Sequence, residues 1–522
     1  MPESRHVLKD YLDALSRENL LVSHNVPAAL AEMPVTSLSY DSRAVEPSTL
    51  FICKGAAFRT RFLADALKKG AIAYVAEDAL ADTLAAELAA LASDGDEAAA
   101  AAFAAPCIRV SDIRAALVAL ADTGFDRVAD RLIISGITGT KGKSTTTYYM
   151  RAILDDWMAT RGKPASAVLS SIDNYDGVAT TEAHLTTPEV LELYRHFQNA
   201  VDSGISHLTM EVSSQSLMTG RVNGITFEVG AWLNIDIDHI SPIEHASFED
   251  YFAAKLLLFD RCRTGVVNLD ARFADRAIAY AKERCPLITF GQAEGATVHC
   301  TGIRRCADGI HFTVESPAYN GEFAITMPGL FNVTNALCAM AICTALGVPE
   351  ESVRRGLLIA RASGRMQVYS SRDGQVTVIV DYAHNRLSFE ALLDSTRVEY
   401  PDRKIIWVFG CPGNHAQNRR SDLPGVIGKS CEMVYICEED SAMEPFADIA
   451  AEIAANVESP YEVIEDRSEA LRRAIFEHEG PRVILFTGKG EERYMKRPSG
   501  YDPCESDVDI TLARLAEYDR LH

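Results

Sequence analysis

Gly136-Ile-Thr-Gly139-Thr-Lys-Gly142-Lys143-Ser144 is the stretch of this sequence that decides the fold. It follows the apolar run 132–134, which predicts a buried parallel strand, and it precedes residues 145–154, which predict a helix. A glycine-rich turn between a strand and a helix presents backbone N–H groups to a polyphosphate. The pattern G-x-x-x-x-G-K-[ST] is not met strictly, since Ile137 occupies its first glycine position. An ordinary glycine turn with a surface lysine is the alternative, but the order of elements favours a nucleoside triphosphate site.

The composition is that of an ordinary soluble protein of several domains. The chain has 522 residues, of which 48% are hydrophobic, and this length predicts two to four domains. Asp and Glu outnumber Lys and Arg by 73 to 51, giving a net charge of −22. Because a phosphate backbone requires clustered cations, nucleic acid is not expected as a partner.

Cysteine spacing and hydropathy bear on the compartment. None of the 12 cysteines forms a C-x-x-C pair, which argues against a zinc or redox site and favours free thiols in the cytoplasm. The N-terminus lacks the apolar core of a signal peptide. No run of about 18 apolar residues occurs, so we expect no membrane association.

Alternating strand-like and helix-like segments predict an α/β protein with parallel sheets. In the first block, residues 50–53 and 71–75 predict strands with a helix at 62–69 between them. Residues 79–105 are rich in alanine and predict either a helical hairpin insertion or a flexible surface segment. Strands are predicted in the two later blocks at 206–212, 229–234, 265–269, 376–380, 405–409, 433–437 and 483–486.

Acidic and basic residues with metal-binding or catalytic potential follow the predicted central strands. Glu211 ends one strand, and Asp238 and His239 come soon after another. Strand carboxyl ends are where ligands bind in open α/β sheets. Lys255 lies within a helical pattern. Taken one at a time, Glu211 is best explained as a solvated strand end, His239 as a core histidine and Lys255 as a surface lysine. Together these residues favour a functional site.

Taken together, these motifs resemble those of the Mur ligases, ATP-dependent amide-forming enzymes of peptidoglycan synthesis. The resemblance covers nearly the whole chain. It is carried by the phosphate loop, by Glu211-Val-Ser-Ser, by the stretch from Asn234 through His239 to Lys255, by Gly329-Leu-Phe-Asn-Val-Thr-Asn335, by Gly364-Arg-Met366 and by Asp381-Tyr-Ala-His384.

The resemblance implies three domains, with ATP and Mg²⁺ as cofactors. Residues 1–130 would bind the UDP-linked substrate, residues 131–362 would form a central parallel-sheet ATPase domain, and residues 363–522 would form a Rossmann-like domain. The implied catalytic residues are Lys143, Glu211, His239, Lys255 and Arg365. The implied ATP-binding residues are Gly139, Thr140, Lys141, Gly142, Lys143, Ser144, Thr145, Asn332, Asn335, Arg365, Asp381 and His384. Ser144 and Glu211 would hold one Mg²⁺, and His239 a second beside a carbamoylated Lys255.

Further segments narrow the resemblance to the branch that adds the third stem-peptide residue. Asp41-Ser-Arg43 resembles its UDP-binding segment, and Gly488-Lys-Gly-Glu-Glu492 departs from the usual G-K-G-H-E, with Glu491 in the histidine position. The implied substrate is UDP-N-acetylmuramoyl-L-Ala-D-Glu, activated as an acyl phosphate and then attacked by a free amino acid. Its expected contacts are Ser42, Arg43, Thr186, Thr187, Ser213 and Arg221.

The segment Glu438-Glu-Asp-Ser441 bears on which amino acid is added. Relatives that add meso-diaminopimelate carry Asp-Asn-Pro-Arg there, and the arginine pairs with the distal carboxylate; here Ser441 replaces it. An acidic segment attracts an ε-ammonium group, which predicts L-lysine as the amino acid that is added. L-Ornithine, one methylene shorter, is the competing substrate. The alternative explanation of the segment is a solvated acidic loop without a role in binding. The expected amino-acid contacts are His415, Arg420, Glu438, Glu439, Asp440, Gly488 and Glu492.

Two other functions compete with this hypothesis. A folylpolyglutamate synthetase would share the phosphate loop but lack the region around Asp41-Ser-Arg43. A nucleotide-binding protein without catalysis would be favoured if Lys143, Glu211, His239 or Lys255 were missing, and all four are present. The expected partners are therefore the UDP-linked dipeptide and a free diamino acid, and the protein is expected to be a monomer.

Overall fold

The computed structural model describes residues 6–55, 58–93, 105–183, 185–238, 240, 244–306, 308–414 and 416–522. Two predicted site residues, His239 and His415, lie outside this set. The described chain forms three sheets, each flanked by helices, and one separate hairpin. The predicted boundaries near residues 130 and 362 fall between successive sheets and stay predictions.

The first sheet has five strands in the order β1-β5-β4-β3-β2, parallel except for the β1–β5 pair. Its predicted strands and the helix between them are confirmed, and the alanine-rich segment begins as a single helix. The strands are β1 Leu21–His24, β2 Ser37–Ser39, β3 Thr49–Ile52, β4 Ala71–Glu77 and β5 Cys107–Val110. The helices are Leu8–Arg17, Ala28–Ala31, Thr60–Lys68, Asp78–Ser93 and Ile113–Gly124, with a 3₁₀ turn at Ser42–Ala44.

The second sheet has eleven strands in the order β16-β15-β14-β13-β12-β11-β6-β10-β7-β8-β9. Its strands are β6 Ile133–Thr138, β7 Ala167–Leu169, β8 Asp173–Tyr175, β9 Thr180–Glu182, β10 His207–Glu211, β11 Phe227–Trp232, β12 Cys262–Asn268, β13 Leu287–Gly291, β14 Val298–Cys306, β15 Gly309–Glu315 and β16 Asn320–Ile325. Its helices are Lys143–Thr160, Val190–Asp202, Ser214–Met218, Phe248–Leu256, Ala274–Lys282, Phe331–Leu346 and Glu350–Ile359, with 3₁₀ turns at Val128–Arg131 and Leu257–Arg261.

The predicted parallel sheet forms the centre of this domain, and antiparallel strands extend it at both edges. Strands β14, β15 and β16 pair antiparallel, and so do β7, β8 and β9. Along β15 every second residue is buried, which is the pattern of a strand with one solvated face. The parallel centre instead reads as continuous apolar runs, so only that part matched the βαβ pattern in the sequence.

The third sheet has the order β17-β18-β22-β19-β20-β21 and is parallel except for the β17–β18 pair. All four strands predicted in this block are present. The strands are β17 Gln367–Ser370, β18 Val376–Asp381, β19 Lys404–Phe409, β20 Met433–Ile436, β21 Tyr461–Val463 and β22 Arg482–Thr487, followed by the hairpin β23 Tyr494–Arg497 and β24 Gly500–Pro503. The helices are Arg386–Glu399, Arg419–Ile427, Phe446–Ala454, Arg467–Phe476 and Asp507–Leu521.

Hydrophobic packing joins the first two sheets more closely than the third. One core contains side chains of the first sheet, of helix Ile113–Gly124, of helix Val190–Asp202 and of strands β6 and β10. The third sheet has cores of its own, and Phe331 from the central block packs partly against one of them. Within the described residues, no helix combines the length and the apolar character that a membrane span requires.

Candidate active site

The phosphate loop lies between the end of β6 and the start of helix Lys143–Thr160, at the centre of the parallel sheet. Asn234, just after β11, holds the loop: its side-chain oxygen accepts from the backbone N–H groups of Thr140 at 3.1 Å and Lys141 at 3.0 Å. Gly142 begins the helix with φ of +85°, a conformation that glycine adopts readily. The predicted strand, loop and helix are thus confirmed, with the helix longer than expected.

Gly142 also approaches the predicted adenine-side motif. A Cβ atom at this position would lie 2.3 Å from Asn335 Oδ1, and Asn335 in turn donates to Asn332 Oδ1 at 2.9 Å. The two predicted asparagines therefore stand beside the phosphate loop, and the glycine is required by both its φ angle and the available space.

Replacing Gly142 with alanine should distort the loop. The left-handed conformation alone costs an alanine roughly 1–2 kcal/mol, and the contact with Asn335 adds to this. We expect ATP affinity, measured by titration calorimetry, to fall by more than about tenfold. Gly162→Ala is the matched control, since Gly162 has φ of +62° but a Cβ atom added there would meet no atom within 4 Å. Equal ATP affinity in the two variants would contradict this account.

Hydroxyl and carboxylate oxygens gather at the start of the loop helix. Ser144 Oγ lies 3.1 Å from Ser171 Oγ, and Glu211 accepts from the Ser171 backbone N–H at 2.9 Å. Glu211 is buried at the carboxyl end of β10, next to β6, as predicted. Arg365 of the third domain donates to Ser144 Oγ at 3.1 Å. The structure therefore brings together the predicted residues Ser144, Glu211 and Arg365.

Two lysines converge on the carbonyl of Gly139. Lys143 Nζ and Lys255 Nζ each donate to this oxygen at 2.9 Å. Lys255 is only 2% exposed, and its ammonium also lies 4.5 Å from the centre of the Tyr251 ring. Burial, reinforced by the charge of Lys143, holds the pKa of Lys255 well below its usual value. Burial likewise lowers the pKa of Lys143, against the opposing effect of Glu211.

The third domain closes over the loop through polar contacts. Lys141 Nζ donates to the Leu387 carbonyl at 2.6 Å, and burial lowers the pKa of Lys141 to about 8. Asp238, buried at the end of the central sheet, accepts from Arg419 at 3.2 Å and from the Asn385 side chain at 3.1 Å. These contacts join the predicted metal-binding segment to the third domain.

Two further predicted ATP contacts lie on this closing face. Asp381 accepts from the Met366 backbone N–H at 2.7 Å, and its burial raises the pKa of the carboxyl group. His384 Nδ1 lies 2.7 Å from the Tyr382 carbonyl, and burial holds the pKa of His384 well below its usual value. His384 is therefore neutral near pH 7, so that it can donate or accept a hydrogen bond but carries no charge.

A cavity of about 260 Å³ opens between the second and third domains, beside these contacts. One wall is the β8–β9 hairpin with Ser171, and the other is formed by the loops around Arg365 and around Glu491 and Glu492. The Tyr382 hydroxyl donates to Glu492 at 2.7 Å. The cavity is thus lined by Ser171 and Arg365, which contact Ser144 of the phosphate loop, and by Glu492, one of the predicted amino-acid residues.

The predicted acidic segment after β20 is partly neutralised. Arg497 donates through Nε to Glu438 at 3.1 Å, and Lys489 donates to Asp440 at 2.9 Å. The sequence analysis did not predict these two contacts, since the distant residues Lys489 and Arg497 reach Asp440 and Glu438 only through the fold. Of the three carboxylates in this segment, Glu439 alone has no side-chain hydrogen bond or ion pair to a described residue.

Glu439 is 6% exposed, and its environment is unusual for a carboxylate. Burial raises its pKa to about 8, although Arg467, Arg419 and Lys489 act in the opposite direction. Gly488 leaves room for this side chain, since a Cβ there would lie 2.2 Å from Glu439 Oε2. The predicted residues Gly488 and Glu439 therefore lie against each other.

Arg420, predicted to contact the amino acid, is already engaged within the third domain. Its guanidinium forms ion pairs with Glu444 and Glu452 and donates to the Pro412 carbonyl at 3.2 Å. The neighbouring Arg419 points instead toward the second domain and Asp238. The role assigned to Arg420 stays a prediction, and its geometry favours a structural function.

Three of the predicted UDP-substrate residues form a cluster at the edge facing the first domain. Thr187 Oγ1 donates to the Glu211 carbonyl at 3.0 Å and accepts from the Ser213 N–H at 3.0 Å, and Arg221 donates to the Thr187 carbonyl at 3.1 Å. Thr186 precedes this cluster in the chain. Glu189 pairs with Arg221 at 3.0 Å and also with Lys54 of the first domain.

Ser42 and Arg43 lie on the 3₁₀ turn of the first domain, apart from this cluster. Asp41 caps the turn by accepting from the Arg43 N–H at 2.9 Å, and Lys69 donates to the Ser42 carbonyl at 2.9 Å. No described contact joins them to Thr187. Their chain neighbour Tyr40 lies at this interdomain edge, since the centre of its ring is 5.0 Å from Lys54 Nζ.

Sequence reasoning missed Ser171, Arg419 and the Lys54–Glu189 pair. Ser171 follows the short apolar run that becomes β7, and a polar residue at the end of a parallel strand was a usable signal. Arg419 stands beside Arg420 in the sequence, and nothing in the spacing indicates which of the two faces the site. The Lys54–Glu189 pair joins positions 135 residues apart, so no local sequence pattern predicts it.

Comparison with known proteins agrees with this geometry. The Mur ligase middle domain matches residues 137–343, and the Mur ligase glutamate ligase domain matches residues 364–490. The chain is 35% identical over 518 residues to the UDP-N-acetylmuramoyl-L-alanyl-D-glutamate–L-lysine ligase of Enterococcus faecalis, covering 96% of this chain and 97% of the relative.

Solved structures share the fold. A UDP-N-acetylmuramoyl-L-alanyl-D-glutamate–2,6-diaminopimelate ligase superposes with a TM-score of 0.61 at 23% identity, covering 95% of this chain and 97% of that chain. A MurF ligase from Thermotoga maritima in complex with ADP gives a TM-score of 0.58 at 16% identity, covering 92% and 96%. The resemblance found in the sequence is therefore confirmed: the chain belongs to the Mur ligase family.

Proposed function

We propose that this protein joins L-lysine to UDP-N-acetylmuramoyl-L-Ala-D-Glu in an ATP-dependent reaction of peptidoglycan synthesis. The observation that carries the proposal is the meeting of Arg365 of the third domain with Ser144 and Ser171 beside Glu211, at the phosphate loop. A ligase of this kind needs cations from two domains around a phosphoryl group in transfer, and this arrangement supplies them.

In the first step, the substrate carboxylate attacks the γ-phosphate of ATP and gives an acyl phosphate and ADP. Phosphoryl transfer depends mostly on positioning and charge neutralisation. In this role Arg365, which donates to Ser144, and Lys143, whose ammonium lies at the Gly139 carbonyl of the loop, would supply the positive charge. Gly142 and Asn234 hold the backbone of the loop in its conformation.

The oxygen donors at this point fit a hard divalent cation. Ser144 Oγ and Glu211, joined through Ser171, offer the hydroxyl and carboxylate ligands that Mg²⁺ prefers. Bound there, Mg²⁺ would neutralise the phosphate oxygens. We propose Ser144 and Glu211 as its ligands. A second ion beside His239 and a carbamoylated Lys255 is also proposed, on the family resemblance and on the burial of Lys255.

We propose that Glu439 receives the side-chain ammonium of the incoming lysine. It is the carboxylate of the acidic segment that has no side-chain hydrogen bond or ion pair to a described residue, and it is buried beside Gly488. A buried carboxylate without a partner is costly, and a cationic ligand would relieve that cost. Glu492, Glu438 and Asp440 would then shape the pocket rather than bind the ammonium directly.

The UDP-linked substrate is proposed to lie along the cleft of the first two domains. Thr187, Ser213 and Arg221 surround the strand end at Glu211, so a substrate reaching past them arrives at the phosphate loop. We also propose that the protein acts as a monomer in the cytoplasm and binds no nucleic acid. The net charge of −22 supports the last point.

The proposed function predicts that ATP turnover requires both the UDP-linked dipeptide and L-lysine. With L-lysine, L-ornithine and meso-diaminopimelate at equal concentration, we expect lysine to be incorporated preferentially. Glu439→Gln should remove most of this preference.

Because burial raises the pKa of Glu439 to about 8, its carboxylate form becomes dominant above that pH, so KM for lysine should fall between about pH 7 and about pH 9.

Mass spectrometry of the products measures the competition, and steady-state kinetics measures KM. Glu438→Gln is the matched control, since Glu438 lies in the same segment but pairs with Arg497. ATP turnover that does not depend on the UDP-linked dipeptide would overturn the proposed ligase function. Preferential incorporation of diaminopimelate would overturn the role of Glu439. Preferential incorporation of ornithine would overturn only the predicted side-chain length, since one methylene changes the binding free energy by about 1–3 kcal/mol.

A further inference from the structure

Glu491 occupies the wall of the interdomain cavity, at a position where the family usually has histidine. Its carboxylate accepts from Ser363 Oγ at 2.6 Å through Oε1. In the described residues no second hydrogen bond to this carboxylate is found, so Oε2 is available to a ligand. Glu491 therefore differs from its neighbour Glu492, which is held by Tyr382 and Lys489.

The backbone fixes Glu491 close to Arg365. Gly364 and Gly490 cross so tightly that a Cβ on Gly364 would lie 2.8 Å from the Glu491 nitrogen. Both glycines have positive φ, +65° and +57°, so the crossing depends on residues without side chains. Glu491 and Arg365 therefore line the same cavity, and Arg365 contacts Ser144 of the phosphate loop.

We infer that Glu491 accepts a proton from the α-ammonium group of the incoming amino acid. This inference rests on the proposed ligation. The ammonium gives one proton to Glu491, and the nitrogen lone pair then forms a bond to the acyl carbon. The nitrogen passes its second proton to the departing phosphate, which leaves with the electron pair of the broken C–O bond, and the third proton stays on the amide. Glu491 returns its proton to solvent.

The surroundings of Glu491 suit this task. The other acidic groups on the cavity are Asp173, Glu182 and Glu492, which attract a cationic amine. The basic groups on the cavity are Arg365, Lys489 and Arg493, and the Tyr382 phenol also lines it. The Tyr369 phenol lies outside the lining but interacts electrostatically with Glu491. Lys489 is paired with Asp440 and Glu492, and Arg493 with Asp509, which leaves Arg365 to face the phosphate.

Hydroxylamine separates the two steps of the reaction. It is mostly neutral near pH 7 and attacks acyl phosphates without help from a base, so hydroxamate formation reports the first step alone. In Glu491→Gln we expect lysine ligation at pH 7 to fall by about 10²-fold or more. Hydroxamate formation should fall far less, and ligation should recover as rising pH deprotonates the free amine.

Glu505→Gln is the control, because it removes one exposed carboxylate from the same domain. Glu491→His, which restores the family residue, should keep most of the ligation. A parallel loss of hydroxamate and ligation in Glu491→Gln would overturn the inference, as would an unchanged pH profile with only a raised KM for lysine. Absence of hydroxamate in the unmodified protein would instead count against the proposed function.

Discussion

Replacing Lys143 with alanine is expected to lower kcat for ligation by about 10³-fold while leaving the UDP-linked substrate bound as before. Lys143 starts the helix of the phosphate loop and is one of the two cations proposed to stabilise charge in phosphoryl transfer. Removing one preorganised donor at such a position costs about 10²–10³ in rate. The UDP-linked substrate is proposed to contact Thr187 and Arg221 instead, on the side of the first domain. Steady-state ATP turnover and titration calorimetry measure the two quantities separately.

Lys163→Ala is the matched control for this experiment. Lys163 is exposed just beyond the far end of the same helix, so its removal changes the charge of the element without touching the loop. We expect activity within about twofold of the unmodified protein. If Lys143→Ala retained normal turnover, or if it lost the UDP-linked substrate together with activity, the assignment of the loop would be refuted.

Replacing Lys255 with alanine is expected to abolish most ligation, and short carboxylic acids such as acetate should restore part of it. The buried ammonium shares the Gly139 carbonyl with Lys143, and a second positive charge there is unfavourable. Carbamoylation converts this lysine into an oxygen ligand for a metal, and a diffusible carboxylate can supply the same donor. Turnover measured over an acetate concentration series tests the rescue.

Lys282→Ala, at an exposed helix end, serves as the control and should show neither loss nor rescue. Full activity of Lys255→Ala without added carboxylate would refute the carbamate. Since alanine leaves a cavity in a buried position, thermal unfolding of both variants must be measured as well. A folded Lys255→Ala protein that no carboxylate restores would point to a role for the amine itself.

The sequence indicated those parts of the site in which chemistry and local pattern coincide. Lys143 and Ser144 follow a strand and glycines, Glu211 ends a strand, and the parallel order of β6, β10 and β11 brings such strand ends together. What it could not indicate were contacts made by the fold alone. Arg497 neutralises Glu438 across 59 residues, and this pairing changed the electrostatic argument for lysine.

The edges of the central sheet show the same limit. The parallel strands β6, β10, β11 and β12 were predicted because they are largely buried and therefore mostly apolar, whereas the parallel strands β7 and β13 were not predicted. The antiparallel strand β15 carries a two-residue alternation instead, and β8 and β9 have only three residues each. Short strands bury too little surface to leave a hydrophobic signature, although β8 and β9 form one wall of the cavity.

The core shared by the first two sheets has a consequence for how the protein unfolds. Side chains from both sheets interlock in one apolar mass, so neither block can lose its packing without exposing the other's surface. The third domain touches them mostly through polar side chains such as Arg365, Arg419 and Lys141. We therefore expect the first two domains to unfold together and the third domain, which contains the proposed lysine pocket, to unfold as a separate unit.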